Sequence, residues 1–87
     1  MIFIALGKLK KKPNKAFVED TNKVFDELQK KGVKIISRYW TLGRYDVAVT
    51  YEAANEKEAL KVSLALAEFG AMETLVAIPR EEAIKLV

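Results

Sequence analysis

Tyr39-Trp40-Thr41-Leu42-Gly43-Arg44-Tyr45-Asp46-Val47-Ala48-Val49-Thr50-Tyr51 decides how the rest of the chain is read. It holds the only Trp and all three Tyr. Residues that favour a pleated, half-buried surface lie on both sides of Gly43. Tyr45, Val47, Val49 and Tyr51 alternate with Asp46, Ala48 and Thr50, the period of a strand. Gly43-Arg44 fits a two-residue hairpin connection, because Gly suits the first central position of a type II′ turn. The stretch therefore predicts a β-hairpin whose strands cover residues 33–42 and 45–52.

On the N-terminal side, Gly32 follows Lys30-Lys31, a glycine stop behind a basic last turn. The helix it ends is predicted over residues 15–31, with Asn14 as N-cap. Phe17, Thr21, Val24, Phe25 and Leu28 make one stripe along it at helical spacing. Before it, Lys8, Lys10, Lys11 and Lys12 run into Pro13, which disfavours helix in the preceding residue and marks a loop. Ile2-Phe3-Ile4-Ala5-Leu6 is continuously apolar, as expected of a strand covered on both faces.

On the C-terminal side, Asn55 with Glu58 is a capping signal for a second helix over residues 56–69, ended by Gly70. Ala59, Leu60, Val62, Leu64, Ala65, Leu66, Ala67 and Phe69 leave it apolar nearly all round, which calls for burial on more than one side. Residues 72–78 read as a fourth strand stopped by Pro79, and residues 80–87 as a short terminal helix. The order is β-α-β-β-α-β: an α+β, ferredoxin-like domain over residues 1–87 with a four-stranded antiparallel sheet. Two helices cover one face of such a sheet. The excess apolar surface of the first strand and second helix then calls for a second copy of the chain.

Composition narrows the function. The chain has 87 residues and a net charge of +3, with neither cysteine nor histidine. It thus lacks disulfides, thiolate ligands, a Cys nucleophile and the commonest general base. No cofactor and no metal are expected. A haem would have only Met or Tyr as axial ligand. No apolar run approaches the roughly 18 residues that span a membrane. Met1–Leu6 is too short for a signal peptide and has no basic region before it, so a cytoplasmic place is expected. Residues 1–34 carry nine Lys against four acids, and residues 35–87 six Lys or Arg against eight acids. Many Lys and Glu with only four Asn and Gln match a thermophile-like composition.

Trp40-Thr41-Leu42-Gly43-Arg44-Tyr45-Asp46, followed by an acidic residue, a short loop and a small-residue helix ending in Gly70, resembles the GYD domain family. The family's Gly-x-Tyr-Asp turn is Gly43-Arg44-Tyr45-Asp46 here. One departure is Ala54-Asn55 where the family often has Pro-Asp; Asn still caps a helix. The resemblance implies a dimeric α+β barrel, in which two ferredoxin-like units join their bare sheet faces. That group contains small-ligand sensors as well as cofactor-free and haem enzymes. The resemblance thus implies architecture rather than a reaction.

Three classes of function compete. A homodimeric or higher homo-oligomeric module that binds a small molecule or regulates needs only a pocket and a few polar groups. Its candidate ligand cleft is Tyr39, Trp40, Gly43, Arg44, Tyr45 and Asp46. The bland reading makes Gly43–Asp46 a structural turn and the aromatic residues packing. A cofactor-independent oxygenase or isomerase would draw its acid and base groups from Tyr39, Tyr45, Arg38, Arg44 or Asp46, but no pair among them has a spacing that demands catalysis. An RNA-binding domain shares the topology, and Ile2-Phe3-Ile4 suits its first strand. The third strand lacks the stacking platform, however, and Asp46 has the wrong sign for phosphate. The lysine cluster reads as a solvated loop, and nucleic acid is not the expected partner.

Overall fold

The protein is described by a computed structural model covering residues 1–87. β1 (Ile2–Leu9), α1 (Lys15–Lys30), β2 (Lys34–Trp40), β3 (Val47–Glu52), α2 (Glu56–Leu66) and β4 (Gly70–Ala77) follow in chain order, then a four-residue helix α3 (Arg80–Ala83) and a 3-10 turn (Ile84–Leu86). The sheet is antiparallel throughout, in the order β2-β3-β1-β4. This is the ferredoxin-like plan, with β1 and β3 central and β2 and β4 at the edges.

The local signals act as their chemistry requires. The Asn14 carboxamide oxygen accepts the Phe17 N–H at 2.9 Å, and Asn55 accepts the Glu58 N–H at 3.0 Å, so each helix starts on a side-chain cap. At the end of α1, Gly32 N–H donates to the Gln29 carbonyl and Val33 N–H to the Leu28 carbonyl, the paired bonds of a Schellman stop.

Several boundaries differ from expectation. β1 continues to Leu9, so Lys8 belongs to the strand and only Lys10–Lys12 to the loop. Pairing with β4 as far as Leu9–Gly70 carries it there. α2 ends at Leu66, and Gly70 is the first residue of β4 rather than the helix stop. A Cβ on Gly70 would lie 2.1 Å from the Lys8 carbonyl oxygen, so its missing side chain lets β4 close against β1. The hairpin connection spans six residues, Thr41–Asp46, instead of two. Thr41 N–H donates to the Asp46 carbonyl at 2.8 Å and the Thr41 hydroxyl to the Tyr45 carbonyl at 2.7 Å, which closes the wider loop.

The core lies between the helices and one sheet face. Phe3 and Ala5 of β1, Val49 and Tyr51 of β3, Phe25 and Leu28 of α1, and Ala59, Val62 and Leu66 of α2 are buried there. Phe3 stacks on Tyr51 with ring centroids 5.5 Å apart. α2 is covered on one side only, since Leu60 is 58% and Leu64 66% exposed. β1 is likewise covered on one face; Ile2, Ile4 and Leu6 point to the bare face, half-buried only by their neighbours in the sheet.

Candidate functional site

Strand β2 carries a bulge that positions the site. Ile35 pairs with Tyr51 and Ser37 with Thr50, so Ile36 is an extra residue. Strict alternation would put Ile35 and Arg38 on opposite faces. The inserted residue shifts the phase, and Ile35, Arg38 and Trp40 all align with the helix-side residues Tyr51, Val49 and Val47. Arg38 is thereby turned toward α1.

A cavity of about 190 Å³ lies there, between α1 and the sheet. Its floor is Phe25, Val49 and Leu66, all buried. Phe17 and Phe69 form a wall, packed edge-on with centroids 5.6 Å apart, and Phe17 also meets Trp40 at 6.3 Å. Exposed Val18, Asn22, Arg38 and Trp40 form the mouth. Only three lining residues are polar, and the Thr21 hydroxyl is within hydrogen-bond distance of the Phe17 and Val18 carbonyls, at 2.9 and 3.0 Å. Arg38 lies over the Phe25 ring, 4.7 Å from its centroid, and donates to the Asn22 carboxamide oxygen at 3.4 Å. It forms no salt bridge; those present join Lys30 to Glu27, Lys34 to Glu52 and Lys61 to Glu58.

Of the six cleft residues expected from sequence, only Trp40 lines this cavity. Asp46 borders a shallower, basic depression with Lys10, Lys11 and Lys12 that shares Leu9 and Trp40 with the cavity. Its carboxylate accepts the Leu9 N–H at 2.8 Å while its own N–H donates to the Gly7 carbonyl at 2.7 Å, so it ties the loop to the end of β1. Gly43 has φ +94° with open space where a Cβ would stand, so backbone conformation alone favours glycine there. Tyr39 aligns with Ala48 on the bare face. The Tyr45 hydroxyl donates to Glu73, and this bond raises its pKa above the ordinary value; Arg44 lies 5.9 Å from the Tyr45 ring centroid. The stretch thus divides between the two sheet faces. No three acidic side chains gather as metal ligands, and no helix is long and apolar enough to cross a membrane.

The Gly43-Arg44-Tyr45-Asp46 turn thus lies between β2 and β3 and is anchored to β1 through Asp46. A GYD domain model matches residues 3–87. The chain belongs to the GYD domain family. Among solved structures, this GYD domain is similar to that described as "Crystal structure of PH0061", with a TM-score of 0.55 and 23% identity. The likeness covers 92% of this chain and 53% of that one, so the domain spans about half the length of that neighbour. At that identity the likeness speaks to the fold alone. No curated protein matches the chain.

In the sequence Arg38 stands out only as a possible acid or base group, and Phe17, Thr21 and Phe25 have the spacing of an ordinary helix stripe. The missing signal is the bulge, which a period-two reading of β2 does not contain.

Proposed function

We propose that this GYD domain is a small-molecule-binding module that works as a homo-oligomer. The observation that carries the reading is the cavity under α1: an apolar floor and walls, with Asn22 and Arg38 at the mouth and Thr21 the one other polar side chain. Such a distribution holds a ligand body by burial and orients it by a few directed contacts. The cavity is smaller than the roughly 300 Å³ at which ordinary ligand pockets begin, so its occupant is a compact metabolite.

The assembly surface is the bare sheet face. Ile4 and Leu6 stand at its centre, Ile4 between Thr50 and Leu75 and Leu6 between Ala48 and Glu73 in register. The Lys34–Glu52 and Tyr45–Glu73 pairs lie around them. An apolar centre within a polar border is the anatomy of an interface, and a second copy of the same face would satisfy both zones. Tyr39, Arg44 and Tyr45 would then stand at the edge of the assembly, while Trp40 serves the cavity and Gly43 and Asp46 hold the loop between them.

Native mass spectrometry after incubation with a metabolite mixture tests the ligand part and reports the oligomer mass with it. One small-molecule adduct per chain is expected, lost in Val18→Trp, which plugs the mouth. An adduct that survives the plug, or no adduct in either protein, would count against the cavity.

A further inference from the structure

The charge pattern around the cavity narrows the ligand to a chemical class; this step rests on the binding function proposed above. We infer that the cavity takes a compact apolar carboxylate, with its hydrocarbon body against Phe25, Val49 and Leu66 and its carboxylate on Arg38.

Arg38 is the only charged residue on the lining. Its guanidinium has five N–H donors, and its one protein acceptor is a neutral carboxamide at 3.4 Å. The Phe25 ring holds it at the mouth without using its in-plane donors. A flat, fixed fork of donors complements a planar anion with two oxygens, which a carboxylate presents and a neutral amide does not. The lining itself offers a single cation, which matches a monoanion. The body of the ligand must be apolar because Thr21 and Asn22 are the only other polar side chains lining the cavity, and Thr21 already has backbone partners. One ring or a short branched chain matches about 190 Å³ and would meet Phe17 and Phe69. Lys10, Lys11 and Lys12, in the depression beside Trp40, add positive potential on the approach.

Trp40 is the sole tryptophan and stands 64% exposed at the mouth, so its fluorescence reports entry directly. The titration compares 3-phenylpropionate with 3-phenylpropanamide, and 3-methylbutanoate with its amide, on the full chain at low salt. In at least one pair the acid should bind about ten- to hundredfold more tightly than its amide, the worth of a hydrogen bond to a charged group. Arg38→Gln should weaken the acid far more than the amide and so remove most of the difference. Arg38→Lys, a point charge without the fork, should keep only part of the preference. Arg38 is exposed, so thermal melts of both variants should match the parent. Acid and amide binding alike would overturn the carboxylate assignment while leaving the cavity as a binding site. A preference for acid that persists in Arg38→Gln would overturn the role of Arg38. No Trp40 response to any of the four probes would contradict this inference, while the cavity itself is judged separately by the native mass spectrometry of the parent and Val18→Trp.

Discussion

The two faces of the sheet are built from the same strands and have opposite fates. On β1, Phe3 and Ala5 lie under the helices and are almost wholly buried, whereas Ile2, Ile4 and Leu6, one residue out of phase, face no other element. On β3, Val49 and Tyr51 are buried while Ala48 and Thr50 lie on the bare side. The covered face has spent its apolar residues on folding the chain, except at the cavity under α1. The bare face keeps its aliphatic residues in excess of what one chain can cover. A strand apolar at consecutive positions therefore presents two different surfaces, one for each phase of its alternation.

The largest expected effect separates the faces by stability. Phe3→Ala removes a buried ring stacked on Tyr51 and should cost about 3–5 kcal/mol in urea unfolding, whatever the protein concentration. Ile4→Ala, the neighbouring change on the bare face, should matter mainly through assembly, so its cost should grow with concentration. Equal, concentration-independent losses would erase the distinction drawn between the two faces.

The loop that joins the faces comes next. Asp46→Ala leaves the Leu9 N–H without its acceptor in a partly buried position and should cost about 1–3 kcal/mol. Gly43→Val should cost about 1 kcal/mol or more through backbone conformation, since no neighbour obstructs the side chain. A urea midpoint unchanged in either variant would refute the corresponding role.

The smallest effect is a pH dependence carried by one tyrosine on each face. Burial raises the Tyr51 hydroxyl above its ordinary pKa of 10.0, offset in part by the Thr74 hydroxyl. Tyr45 is raised chiefly by its bond to Glu73. A raised pKa means that the folded state holds the phenol proton more tightly than the unfolded state. That contribution is complete below about pH 10 and is lost as pH rises through the folded-state pKa. Stability should therefore fall in alkaline urea titrations, with Tyr51→Phe flattening the fall more than Tyr45→Phe. A pH profile unaltered in Tyr51→Phe would show that burial of its hydroxyl has no such effect.

Much of the fold was legible because its signals are local. Asn14 and Asn55 announce the helix starts by chemistry that needs no tertiary context, and alternation across residues 45–51 identifies β3. What was not legible depends on non-local pairing. Only β4 shows that β1 runs on to Leu9, and only the register with β3 reveals that Ile36 is an insertion. The site shares that fate: Phe17, Thr21 and Phe25 have the spacing of any amphipathic helix, and the cavity beneath them exists because α1 and the sheet do not close fully at Arg38 and Trp40. Asp46, by contrast, looked like a site residue from its motif and is placed by hydrogen bonds that hold the loop.

Sedimentation equilibrium at micromolar concentration tests most directly whether the two faces have separate work. The parent chain should sediment as a dimer or a larger homo-oligomer, and Leu6→Asp, which places a charge at the centre of the bare face, should shift it to monomer. A parent that sediments as a single species of monomer mass at every concentration, with a cooperative melt independent of concentration, would contradict the account.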